Sequence, residues 1–219
     1  MLFGSISYLN LLPFQVFLKA YISHNGAKMS FGYRRAVPAE INRALHRRTI
    51  HAGFISSAAS GRCRCTNLGI IAKKKVYSVL LLEGKKERDP ASESSNALAS
   101  VLGLEGKVLI GDEALKYYLA GGEGIDLAEA WYKETGLPFV FARLCYNRHG
   151  DSVKKIAKHF AGKKMAIPQY ILKKEAKKRD ISVKALRWYL THIHYEMNPK
   201  SSQGLKRFLK EAKVKYQVK

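Results

Sequence analysis

Cysteine is scarce. Cys63, Cys65 and Cys145 are the only three in 219 residues. An odd, small set fits a reducing compartment rather than a disulfide framework. Cys63 and Cys65 could join Cys145 and a histidine around zinc, but C-x-C is not the usual C-x(2–4)-C spacing. A chance pair of thiols is the better reading. The histidines form no H-E-x-x-H, and His192 and His194, two apart, point to different faces of a helix. No metal site is expected. The chain also lacks an uninterrupted apolar run of about 20 residues, so no membrane span is expected. The apolar N-terminus has no positive leader, carries Asn10 and Pro13, and offers no A-x-A cleavage site. A cytoplasmic protein is expected.

Catalytic signatures are missing too. There is no P-loop, no G-x-G-x-x-G and no Ser-His-Asp order. Acidic residues are few: 17 Asp and Glu stand against 39 Lys and Arg, a formal net charge of +22. That excess suits nucleic acid, an anionic small substrate, or simply a solvated basic surface. No RNP-type or zinc-finger pattern accompanies it, so nucleic acid is not the expected partner.

What is present is an ordinary globular composition, 47% hydrophobic and 26% charged. Apolar runs and helical spacings alternate. Strands are expected at residues 3–9, 29–33, 52–55, 68–72, 76–82 and 108–110, with a short one at 164–167; residues 139–144 are an apolar run. Helices are expected at 14–22, 38–47, 96–102, 113–119, 127–135, 151–160, 171–179, 183–191 with an extension to 195, and 204–213. Pro13 and Pro38 suit helix first turns. The order β-α-β-α-β at the start favours a parallel sheet with crossover helices. A second β-α set and a helical tail give two α/β lobes with a ligand cleft between them. Lobe one takes 1–78 plus 168–219, and lobe two takes 79–167. The C-terminal helices are expected on lobe one.

Ligands of such sheets collect at the carboxyl ends of strands. Those ends carry Tyr8 and Asn10, then Ser56 and Ser57, then Ser92, Ser94 and Ser95, then Gly111 and Asp112, with Ser78 inside the long run 76–82. These neutral hydroxyls and amides lie where helices begin. Free backbone N–H groups there suit carboxylate or phosphate oxygens. Each serine pair is also an ordinary N-cap, and Gly111-Asp112 reads more readily as a cap than as an acid. Trp131 and Tyr132 could line a pocket, but an aromatic on a helical stripe is usually core. Asn10, an amide among apolar residues, needs partners if buried.

I-S-Y-L-N-L-L-P-F at 6–14 resembles the opening of the chorismate dehydratases of the futalosine route to menaquinone. P-A-E-I-N-R-A-L at 38–45, G-F-I-S-S at 53–57, V-Y-S-V-L-L at 76–81 and S-E-S-S at 92–95 continue the likeness in order. L-I-G-D-E-A-L at 109–115, D-L-A-E-A-W at 126–131, T-G-L-P-F-V-F-A at 135–142 and A-L-R-W-Y-L-T-H-I-H-Y at 185–195 complete it. The related dihydroxynaphthoate synthase shares the fold but opens differently and relies on a histidine.

The resemblance implies a two-lobed fold of the periplasmic-binding-protein type II class. It implies a hydro-lyase that removes water from chorismate to give 3-[(1-carboxyvinyl)oxy]benzoate without a cofactor. Asn10 and Ser78 would face the reacting carbons. Tyr8, Ser56, Ser57, Ser94, Ser95, Gly111 and Asp112 would contact the substrate, whose own enolpyruvyl carboxylate would take the proton. Ser94 stands where the family has Thr, which keeps the hydroxyl. The chain is shorter than many members and unusually basic. The alternatives are a cytoplasmic small-anion-binding protein of the same fold without turnover, or the related dihydroxynaphthoate synthase.

Overall fold

The computed structural model describes residues 1–24, 31–161 and 166–216. Among the described residues nine strands fall into two sheets. The larger contains β1 (Leu2–Ser5), β2 (Gly32–Arg35), β3 (Ala52–Ser56), β4 (Arg64–Ala72), β8 (Phe139–Tyr146) and β9 (His194–Glu196) in the order β2-β1-β3-β8-β4-β9. β1 is parallel to β2 and β3, while β8 runs antiparallel between β3 and β4. The smaller sheet sets β5 (Val79–Leu82) between β6 (Lys107–Ile110) and β7 (Ile125–Asp126), antiparallel to both.

Helices cover both faces of the larger sheet. That is why all five residues of β3 are buried. α1 (Leu12–His24) turns Phe14, Phe17 and Leu18 inward, and α2 (Pro38–His46) buries Ile41, Ala44 and Leu45 behind Pro38 in its first turn. The Phe14 ring meets Phe54 of β3 edge-on at 5.0 Å and Phe160 of α6 (Gly150–Ala161) at 5.2 Å. The smaller sheet carries α3 (Glu93–Val101), α4 (Gly111–Leu119) and α5 (Leu127–Thr135). α7 (Gln169–Lys178), α8 (Val183–Leu190) and α9 (Pro199–Lys215) follow.

Several expectations move. β1 ends at Ser5, and Leu9–Leu11 form a 3-10 turn, closed by the Leu11 N–H on the Tyr8 carbonyl, that leads into α1. In the run 76–82 only Val79–Leu82 is strand. The Val76 and Tyr77 N–H groups donate instead to Asp126 Oδ2 at 2.9 and 2.7 Å, and Tyr77 takes φ +62°. Oδ1 of the same carboxylate caps α5 through the Ala128 and Glu129 N–H groups. One side chain therefore holds the crossing between the sheets. Residues 194–196 are strand, where a helical extension to 195 was expected.

The strands of the smaller sheet stop at Asp126, and β8 joins the larger sheet from Phe139. Much of β8 is buried and it pairs on both edges, so its apolar run carries no mark of the sheet it enters. The C-terminal helices do not keep to lobe one. α9 packs on α3 as well as on β8, and Trp131 of α5, fully buried in the core, meets Phe139 of β8 and Phe208 of α9 edge-on. Residues 29 and 30 of the expected second strand and 164 and 165 of the expected short strand lie outside the described residues; 166 and 167 belong to no strand.

Cys65 and Cys145 sit opposite each other on β4 and β8 and form a disulfide, leaving Cys63 as a free thiol. The three cysteines are thus neither all free nor grouped on a metal. Among the described residues no cluster of His, Cys, Asp and Glu has the makings of a metal site.

Candidate active site

Where β1, β3 and β4 end, a cavity opens between the two sheets. Its polar lining is Tyr8, Asn10, Ser56, Ser78, Ser92, Ser95 and Gly111, against an apolar wall that includes Ile6, Phe54, Ile70 and Phe141. Among the described residues no charged side chain and no histidine lines it. The chain's positive charge lies elsewhere.

Asn10 sits in the 3-10 turn, and the turn is held from two directions. Tyr195 O–H donates to the Asn10 carbonyl at 2.7 Å, and the Leu9 N–H donates to Asp112 Oδ1 at 2.9 Å. Among the described residues no protein group hydrogen-bonds the Asn10 side-chain amide, so its donors and acceptor remain available to a ligand.

Ser78 follows the Asp126-held crossing. Its carbonyl accepts the Gly111 N–H at 2.8 Å, and its Oγ accepts Tyr189 O–H at 2.9 Å. Tyr189 is fully buried, and burial raises its pKa above the ordinary phenol value, so it stays a donor. A hydroxyl that accepts one hydrogen bond keeps its own proton to give.

Tyr8 lies across Gly111, the first residue of α4. A Cβ on Gly111 would stand 2.8 Å from the Tyr8 ring, and Gly111 has φ +69°, so glycine is required twice over. Burial, followed by the charges of Asp89 and Asp112, pushes the Tyr8 phenol up to about 12. It is a neutral donor at neutral pH. α4 has no side-chain cap, and its N-terminus opens at this edge of the cavity. On α3, Ser92 caps the helix by accepting the Ser95 N–H at 3.2 Å and donates its hydroxyl to Ser95 Oγ at 2.8 Å. Ser56 reaches the cavity from the end of β3, its N–H held by Asn42 Oδ1 at 3.0 Å.

Three expected ligand contacts lie elsewhere. Ser57 and Ser94 face each other across the lobes with Oγ atoms 3.0 Å apart, and the Ala58 N–H also donates to Ser94 Oγ. Both serines are buried outside the lining. Asp112 is a clamp: besides Leu9 it receives the Arg179 guanidinium, which also reaches Glu175 and the Ser7 carbonyl. Sequence reasoning passed over Tyr189, Tyr195 and Arg179. A tyrosine on a buried helical face whose hydroxyl must find a partner is the available signal for Tyr189; nothing marks Arg179 within its basic run.

A family model described as menaquinone biosynthesis matches residues 1–102 and 89–214. A chorismate dehydratase of Campylobacter jejuni is 45% identical over 219 residues, covering 98% of each chain. A chorismate dehydratase of Thermus thermophilus is 25% identical, covering 94% of this chain and 92% of its own. Among solved structures, a protein from Archaeoglobus fulgidus superposes with a TM-score of 0.67 at 13% identity, covering 99% of this chain and 98% of that one. The periplasmic aliphatic sulphonate binding protein of Escherichia coli superposes with a TM-score of 0.62 at 14% identity, covering 99% and 86%. The fold is the two-lobed α/β type of the periplasmic binding proteins.

Proposed function

Because the chain belongs to the menaquinone-biosynthesis family, we propose that it is a chorismate dehydratase acting in the futalosine route. It removes water from chorismate and releases 3-[(1-carboxyvinyl)oxy]benzoate. The observation that carries this reading is the pair Asn10 and Ser78 on one uncharged cavity, with Ser78 Oγ already accepting from Tyr189.

The chemistry asks little of a strong base. A proton leaves C3, hydroxide leaves C4, and the ring becomes aromatic, so the elimination is downhill and redox-neutral. The enzyme has to orient the substrate and stabilise developing charge. The enolpyruvyl carboxylate of the substrate takes the C3 proton, and the Asn10 amide holds that carboxylate in place. The Ser78 hydroxyl donates to the departing oxygen, and Tyr189 follows it as donor to Ser78. Tyr8, Ser56 and Ser95, with the uncapped start of α4, bind the carboxylates through neutral donors.

An uncharged lining suits this division of labour. A lysine or arginine there would hold the carboxylate base too tightly and lower its basicity. The absence of histidine from the lining argues against the dihydroxynaphthoate synthase reading, which relies on one. The reading includes action in the cytoplasm, on the ground of the biosynthetic family alone. Among the described residues no helix is long and apolar enough to cross a membrane.

The test is direct. Purified protein is incubated with chorismate and the mixture is followed by mass spectrometry. A product lighter by one water is expected. Folded protein that leaves chorismate unconsumed sinks the proposal, and tight chorismate binding without turnover would favour a binding protein instead.

A further inference from the structure

A second cavity of about 250 Å³ lies at the opposite end of the larger sheet. Its walls come from the end of α2, the start of β4 and the end of β8, and His46, Arg48, Arg62 and Arg64 contribute to them with Tyr146 and Asn147. Ala142 on β8 lines the first cavity and Tyr146, at the end of β8, lines this one; they are four residues apart, or about 13 Å at strand rise. The two sites are separate.

Four basic side chains line this cavity, and among the described residues no carboxylate does. Among the described residues none of them forms a salt bridge. Nor are they there to cap α2, whose last carbonyls already have partners. The Ala44 carbonyl accepts the Thr49 N–H and hydroxyl, and the Leu45 carbonyl accepts the Arg48 N–H and Asn147 Nδ2. Arg48 itself is held at φ +59°, a conformation that disfavours L side chains.

The frame is rigid. Asn147 Nδ2 also donates to the Ile50 carbonyl at 2.8 Å, and Arg64 donates to the Asn147 carbonyl at 3.1 Å while lying over the Tyr146 ring. Asn147 Oδ1 is buried without a protein partner.

We propose that this cavity is a binding site for a phosphoryl oxyanion, either free or as the phosphate end of a small nucleotide. Arginine forks match tetrahedral oxyanions bidentately, and three of them suit a charge of two or more better than a monocarboxylate. A concave site with one cluster of forks fits a small anion, whereas a polymer backbone would need a stripe of contacts.

Isothermal titration calorimetry of the full chain with pyrophosphate at physiological ionic strength tests it. One saturable site is expected. Arg48→Gln and Arg62→Gln should each weaken binding about tenfold, and the pair about a hundredfold. Lys206→Gln, an exposed charge on α9, should leave it unchanged. Both arginines are exposed, and unchanged melting of the variants will establish that they fold. An ADP arm separates the sources: ADP binding within about tenfold of pyrophosphate marks a nucleotide site, and its loss marks a free oxyanion, each supporting the cavity. No saturable binding, or an equal loss in Lys206→Gln, overturns the proposal. So does a double variant that loses affinity for random duplex while its pyrophosphate affinity stays put.

Discussion

The Tyr189 hydroxyl donates to Ser78 Oγ at 2.9 Å, and both groups are shut off from solvent. The bond joins α8, late in the chain, to the segment where the backbone crosses between sheets. It fixes which way the serine proton points. Tyr189→Phe should therefore lower kcat on chorismate by about tenfold with little change in KM, because the interaction matters most as the hydroxyl departs. It should cost about 1 kcal/mol of stability, the usual loss for one buried hydrogen bond. Steady-state kinetics and denaturant melts read the two effects separately. An unchanged kcat would leave Tyr189 as packing alone.

Asn10→Ala removes the one side-chain amide in the cavity, and Ser78→Ala removes the hydroxyl donor. Each should reduce turnover by about 10² to 10³, while circular dichroism remains native. Asn10→Asp is the sharper variant: it keeps the shape but sets a negative charge against the substrate carboxylate, so KM should rise as kcat falls. Full activity in Asn10→Asp would remove Asn10 from the reaction.

Gly111→Ala should be damaging out of proportion to one methyl. Its Cβ would stand 2.8 Å from the Tyr8 ring at φ +69°. A cost of about 1–2 kcal/mol is expected from the backbone alone. Displacement of Tyr8 should also raise KM. A variant that melts and turns over like the parent would show that Tyr8 has room to move.

His51 couples pH to stability. Its Nδ1 accepts the Leu2 N–H at 3.0 Å, which requires the neutral ring. Burial first, then nearby His149 and Arg148, hold its pKa below the ordinary 6.5. The folded chain thus binds fewer protons at this site than the unfolded chain. The stabilisation is present above 6.5 and is lost as pH falls through the lowered pKa. His51→Gln, which keeps an acceptor, should flatten the fall in Tm between pH 7.5 and 5.5. Equal slopes in parent and variant would exclude the coupling.

The elements that sequence patterns revealed are those whose signals are local. Pro38 and the stripe Ile41, Ala44 and Leu45 place α2 within a residue. The misplacements have distant causes. Val76 and Tyr77 look like strand, but a carboxylate at Asp126 takes their N–H groups. At the site, the choice among neighbouring serines turns on geometry that composition does not carry. Ser92 and Ser95, three apart at the start of a helix, share a face and line the cavity, while Ser94 between them turns to Ser57. Ser56, the last residue of β3, and Ser57 just after it diverge in the same way.

The position of β8 bears on how the chain is assembled. Among the described residues β4 pairs with β8 and β9, and β8 stands between it and β3. On a growing chain the smaller sheet is complete once Asp126 has emerged, whereas the larger one stays in two pieces with open edges until residue 146 is synthesised. The last major strand to arrive is inserted in the middle rather than added at a rim. Until then β3 and β4 each expose an unpaired edge, the kind of surface that invites misassociation.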